Sequence, residues 1–90
     1  MNGIKTIARY YGVQHQTRKA IEELGELIVA LARDDRDNIV EEIADVMVML
    51  MQLEILLDCD EEVFDIIDEK VERQLTRIRA EMVDCAWRCP

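Results

Sequence analysis

Ninety residues carry 50% hydrophobic and 34% charged side chains, a net charge of −9, three Gly and one Pro. That length suits a single domain over residues 1–90, and the balance excludes collagen-like, linker-like and disordered chains, which need Gly/Pro enrichment or low hydrophobicity. With aromatics at 4% and β-branched residues outnumbered by Leu, Met, Ala and Glu, the composition is that of an all-α protein.

A period of 3.6 residues fits nearly the whole sequence. A short first helix is predicted over Ile4 to Tyr11, stopped by Gly12, which tolerates left-handed geometry. A second runs from about Gln14 to Arg33. Asp34 to Asp37 form a polar connector. Asn38 with Glu41 three residues later makes a capping-box pattern that opens a third helix, continuing to about Leu57. Asp58-Cys59-Asp60 breaks it. Asp60 is the expected N-cap of a fourth helix, with Glu61 and Glu62 at its positive end. That helix carries Val63, Ile67, Val71, Leu75, Ile78 and Met82 and fades before Pro90. The expected architecture is a bundle of three to four helices without linkers or low-complexity segments.

The third helix is apolar on more than one face, since Val46 to Met51 is an unbroken apolar run. A surface helix would show one stripe. A chain this short offers few neighbours to cover the rest, so a homodimer or homotetramer is expected, with this helix at the interface. No stretch approaches the ~20 apolar residues that span a bilayer; Gln52 and Glu54 interrupt the longest. With no secretory h-region, the expectation is a cytoplasmic protein without a membrane partner. Three cysteines cannot close a disulfide framework, and Cys85 and Cys89 sit one helical turn apart, a poor bridging geometry. They read as free thiols, with metal binding by Cys85 and Cys89 the alternative. Charge is unevenly spread: residues 1–21 contain bases and no acid, while residues 22–69 hold seventeen acids against Arg33 and Arg36. An acidic centre argues against a nucleic-acid partner and for a cation.

The most informative feature is an internal echo. Ile21-Glu22-Glu23-Leu24-Gly25-Glu26-Leu27-Ile28 recurs nineteen residues later as Val40-Glu41-Glu42-Ile43-Ala44-Asp45-Val46-Met47. At ~100° per residue, Ile21, Leu27, Ile28 and Leu31 fall within about 60° of Leu24, the expected core stripe. Glu23 and Glu26 sit together along one edge of it, and Glu42 and Asp45 occupy the same angles around Ile43. Two antiparallel helices packed through these stripes would bring two acidic pairs together. Four facing carboxylates repel unless protonated or neutralised. An all-oxygen site suits Mg²⁺, or Mn²⁺ in its place, rather than Zn²⁺ or copper. The simpler alternative is a solvated acidic face. Glu22 and Glu41 point further outward, as solvated or supporting groups.

Gly25 lies inside a strong helical pattern; close helix packing is one reading, room for a ligand the other. On the fourth helix Lys70, Arg73 and Arg77 form one basic stripe with Gln74 beside it. It suits a polyphosphate, or equally a solvated stripe paired with Glu69 or Glu72. His15, the sole His, suits an exposed or capping role. A helical di-iron site would use Glu-x-x-His pairs, which are absent.

Glu23-x-x-Glu26, fifteen intervening residues and Glu42-x-x-Asp45 resemble the ExxE…ExxD motif of MazG-like, all-α nucleoside triphosphate pyrophosphohydrolases. Gln16 ahead of Glu22-Glu23-Leu24-x-Glu26-Leu27 is similar to that family's approach to its first motif helix. Lys70-x-x-Arg73-Gln74-x-x-Arg77 resembles its third motif, with Gln74 where many members have Asn. The resemblance covers roughly residues 14–80. It implies a MazG-like fold and an oligomer whose subunit contacts complete the core and the active sites. It implies Mg²⁺ held by Glu23, Glu26, Glu42 and Asp45, with Lys70, Arg73 and Arg77 on substrate phosphates and Gln16 and Gln74 as further substrate contacts. The implied reaction hydrolyses a nucleoside triphosphate to the monophosphate and pyrophosphate, for nucleotide-pool house-cleaning. Glu22, beside the ligands but not one of them, is the candidate to orient or deprotonate the attacking water. The competing reading is a non-catalytic acidic helical module for oligomerisation or cation binding.

Overall fold

The structure is a computed structural model that describes residues 2–88 and the side chains of residues 3–84. Three helices follow one another: α1 (Asn2–Arg33), α2 (Arg36–Leu56) and α3 (Asp60–Arg88). The fold class is all-α, as the composition requires, with no strand among the described residues. None of these helices is long and apolar enough to cross a membrane.

The two N-terminal helices read from the sequence are the two arms of α1. They join at Gly12, whose φ of 83° and ψ of 171° are not helical. A side chain at positive φ strains against its own backbone, and glycine avoids that. The other two breaks use aspartate where glycine is more usual. Asp34 (φ 54°) ends α1 and Asp58 (φ 50°) ends α2, because a short polar side chain tolerates the left-handed region. After α2 the amide of Asp58 donates to the Ile55 carbonyl at 3.2 Å and that of Cys59 to Glu54 at 3.0 Å. Those two bonds are the Schellman pattern, and they satisfy carbonyls the helix end leaves open.

The start of α2 differs from the capping box read from the sequence. Asp35, not Asn38, is the N-cap: its carboxylate accepts from the Asn38 amide at 3.4 Å, and its backbone is extended. Asn38 is thereby the third helical residue and Glu41 lies inside the helix. Both residues have cap chemistry, and the one nearer the left-handed Asp34 takes the role. α3 begins at Asp60, which is its first helical residue rather than the N-cap expected there.

By its contacts the chain divides into two compact units, Met1–Asp60 and Glu61–Pro90. In the first, α1 and α2 form an antiparallel hairpin. Gln16 meets Gln52, and Glu26 meets Glu42, so numbers rise on one arm as they fall on the other. The seam between the arms is not the Leu/Ile stripe expected from periodicity. On α1 it consists of Gln16, Ala20, Glu23, Leu27 and Ala30, alternating four and three residues apart, all buried or half-buried. Ile39, Glu42, Val46, Met49 and Leu53 answer on α2 in the same rhythm. Alanines let the arms approach closely, while Ile21, Leu24, Ile28 and Leu31 stay exposed on the outside of α1, Ile28 at 67%. Val40, Ile43, Met47 and Leu50 are likewise exposed on α2.

The second unit is α3. Val63 is half-buried, and Ile67, Val71, Leu75, Ile78 and Met82 remain exposed. Cys59 is a free, half-buried thiol; the side chain of Cys85 and the whole of Cys89 lie outside the described residues.

Candidate metal centre

Because Glu23 and Glu42 occupy seam positions, the hairpin brings acids from both arms face to face. Glu23 and Glu26 from α1 and Glu42 from α2 each offer a carboxylate oxygen within 4.8 Å of the other two. Asp45 is not in this group, yet its charge acts on Glu42. Glu23 is 9% exposed, Glu42 half-buried and Glu26 exposed.

The carboxyl of Glu42 is pushed above the usual carboxylate range. Loss of solvent is the first cause; the charges of Glu26, Asp45 and Glu23 and a hydrogen bond with Glu26 add to it. Lys19 offsets part of the negative field. Its ammonium lies 3.4 Å from Glu23 Oε1 and 3.5 Å from Glu22 Oε2. It is held above its ordinary pKa, chiefly by its hydrogen bond to Glu23 and by that residue's charge, then by Glu22. The opposite oxygen of Glu23, Oε2, and Oε2 of Glu42 are buried with no hydrogen-bond partner. A buried anionic oxygen without a partner is costly. Two of them in one three-carboxylate cluster fit a cation, and a donor set of oxygens alone fits a hard one.

The raised pKa makes a directional statement about stability. Glu42 binds its proton more tightly folded than unfolded, so its contribution favours the fold at low pH and is lost as the pH rises through the raised value. Glu42→Gln is therefore expected to raise the melting temperature of the chelator-treated protein at neutral pH, with the gain shrinking on acidification as Glu42 itself becomes neutral. Thermal melts in EDTA from neutral to mildly acidic pH check this. A gain independent of pH would place its origin away from the carboxylate charge.

Around the cluster, Glu22, Gly25, Glu26, Val29, Asn38 and Glu42 line an open pocket of about 410 Å³. Close packing does not explain Gly25, since an added Cβ would meet nothing within 4 Å; the position leaves room beside the acids. Gly25→Ala is expected to stabilise α1 by about 1 kcal/mol, read by urea denaturation. A loss instead would mean that a neighbouring molecule packs against this glycine.

The remaining candidates are placed as follows. Glu22 is exposed and paired with Lys19. Gln16 is buried and donates through Nε2 to Gln52 Oε1 at 2.6 Å. Lys70, Arg73, Gln74 and Arg77 are all exposed on α3, in the second unit. His15 is exposed, as expected, but not isolated: its ring stacks on Tyr11 with centroids 4.6 Å apart. Sequence reasoning passed over two residues. Gln52 was visible as the one uncharged polar side chain in the apolar stretch of α2. Lys19 was visible as a cation three and four residues before Glu22 and Glu23.

A family model described as phosphoribosyl-ATP pyrophosphohydrolase matches residues 8–71. No curated protein and no solved structure matches the chain. The matched segment takes in the whole hairpin seam, all four motif acids and Lys70; Arg73, Gln74 and Arg77 lie beyond it. The chain belongs to this family, which is related to the MazG-like all-α enzymes that its motifs resemble. Its chemistry is that of a pyrophosphohydrolase, a hydrolase of phosphoric anhydrides.

Proposed function

We propose that this family member is a Mg²⁺-dependent nucleoside triphosphate pyrophosphohydrolase that converts a (d)NTP to the (d)NMP and pyrophosphate. The observation that carries the reading is the pair of buried, unpartnered oxygens, Glu23 Oε2 and Glu42 Oε2, inside a cluster of three carboxylates. Glu23, Glu26 and Glu42 would hold the ion, with Asp45 the fourth acid of the motif; Mn²⁺ is a possible substitute. When bound, such an ion neutralises triphosphate charge and acidifies water. Water oxygen bonds to the α-phosphorus as the bridge to the β-phosphate breaks, and pyrophosphate carries the electron pair away. Glu22, exposed beside the cluster, takes the proton from that water. The resemblance assigns Lys70, Arg73 and Arg77 to phosphate oxygens and Gln74 to the substrate as an amide contact, roles that suit their charge and hydrogen-bonding chemistry.

The exposed aliphatic side chains of α1 (Ile21, Leu24, Ile28, Leu31) and α2 (Val40, Ile43, Met47, Leu50) support a homodimer or homotetramer, because clustered exposed apolar side chains mark an interaction face. House-cleaning of the nucleotide pool, in the cytoplasm, is the role that fits the reaction.

A panel of NTPs and dNTPs with Mg²⁺, and phosphoribosyl-ATP from the family's description, tests the reading by chromatography of products. Monophosphate plus pyrophosphate from any triphosphate, lost on chelation, is the expected result. For phosphoribosyl-ATP the corresponding products are phosphoribosyl-AMP and pyrophosphate. No turnover from a folded oligomer would leave the acidic oligomerisation module as the function. Melting adds a second readout: Mg²⁺ at a hundred times its Kd should stabilise the protein by about 2.7 kcal/mol. Sodium at equal ionic strength should do much less, and equal shifts would reduce the effect to charge screening.

A further inference from the structure

Lys19 stands one turn before the acids of α1, three residues from Glu22 and four from Glu23, the two spacings that meet on a helix surface. Its ammonium reaches both, at 3.5 Å from Glu22 Oε2 and 3.4 Å from Glu23 Oε1. Helix stability gives little reason for this arrangement. A lysine ahead of a glutamate is the weaker order at that spacing, and half-exposed ion pairs contribute little to folding. Among the described residues, no other cation pairs with an acid of the cluster.

The ammonium takes one oxygen of Glu23 and leaves the other. Oε1 is paired with Lys19, while Oε2 is buried in the seam without a hydrogen-bond partner. The last torsion of a glutamate is broad, so its two oxygens exchange places unless something holds them. With Oε1 anchored, that rotation is stopped and Oε2 stays inside. Lys19 lines a groove of about 880 Å³ together with Glu22, and is not among the residues of the smaller pocket beside Gly25, Glu26 and Glu42. The ammonium therefore leaves the space beside Glu26 and Glu42 open.

A fixed positive charge near a cation site has two opposed effects. It repels an incoming cation. It also orders a ligand that would otherwise lose side-chain freedom on binding, and hydrogen-bonded partners of ligating groups raise metal affinity in this way. The contacts of Lys19 favour ordering, because it occupies neither the unpartnered oxygen nor the pocket.

We infer that Lys19 is a positioning residue of the metal centre, holding Glu23 with Oε2 free for the ion and keeping Glu22 alongside. This role rests on the metal centre proposed above and adds the cation that orders it. The Lys19–Glu23 pair persists when the site is filled.

The test is the affinity of the intact protein for Mn²⁺, read by EPR as loss of the free-ion signal with no substrate present. Lys19→Met keeps the aliphatic stem without the ammonium, and should weaken Mn²⁺ binding about tenfold or more. Lys19→Arg, which restores a charged donor, should recover most of that loss. Circular dichroism identifies a variant that fails to fold. A measurement on the wild type is independent of the variants: the NMR coupling across the hydrogen bond between Lys19 Nζ and the Glu23 carboxylate should persist when Mg²⁺ is added. Unchanged or tighter Mn²⁺ binding by Lys19→Met would overturn the role and leave the metal centre intact, with Lys19 only a repelling neighbour. Disappearance of the coupling on adding Mg²⁺ would also overturn it, making Lys19 a placeholder that the ion displaces. A wild type that binds no Mn²⁺ would remove the metal centre and the role together.

Discussion

Glu26→Gln will lower kcat/KM for the hydrolysed triphosphate by on the order of a hundredfold or more, while helix content and oligomeric state stay as in the wild type. Glu26 is the member of the cluster on which this contrast is clearest. It is exposed, so an isosteric amide there disturbs no buried packing. Its oxygen nevertheless lies within 4.8 Å of those of Glu23 and Glu42. The change removes one anionic donor and one of the charges that raise the Glu42 carboxyl. Steady-state kinetics with Mg²⁺, beside size-exclusion chromatography, reads both halves of the result. Activity that survives would remove Glu26 from the metal ligands.

The second large effect concerns assembly. Ile28→Glu is expected to dissociate the oligomer proposed from the outer faces of the hairpin. Ile28 is among the most exposed aliphatic side chains of α1, in line with Ile21, Leu24 and Leu31. Covering one such side chain contributes about 1.5–3 kcal/mol. A two-fold interface counts the substitution twice, so the Kd should weaken on the order of 10²–10⁴-fold. Sedimentation velocity at micromolar concentration makes the measurement. A wild-type chain that sediments as a monomer would sink the assembly, and an unchanged oligomer would move its interface off this face.

Local chemistry made the helix breaks and the acids legible in the sequence. Gly12 and the aspartates near 34 and 58 are poor helix interiors, and each break falls at one of them. The echo between Glu22-Glu23-x-x-Glu26 and Glu41-Glu42-x-x-Asp45 exposed the acids because it repeats in register with the apolar pattern. Periodicity groups Ile21, Leu24, Ile28 and Leu31 on one face, yet it is silent about which element covers that face. The hairpin closes through Ala20 and Ala30 instead, since small side chains permit the closer approach. Glu23 and Glu42 are thereby drawn into the seam rather than left along its edge. The Gln16–Gln52 pair joins residues thirty-six apart, a separation that no local pattern encodes. The capping residue of α2 was ambiguous for a local reason, two suitable side chains three positions apart.

The antiparallel seam also works as a ruler. Gln16 and Glu23 are seven residues apart on one arm, as are Asp45 and Gln52 on the other, and both intervals span two turns. A single inserted residue within either interval would rotate everything beyond it by about 100° and carry an amide or an acid out of register with its counterpart. Changes of length are therefore expected to be tolerated best at Gly12, the turn at 34–35 and the turn at 57–59, where the backbone already leaves the helical path. Between those points the hairpin can vary in side chain but not in residue count.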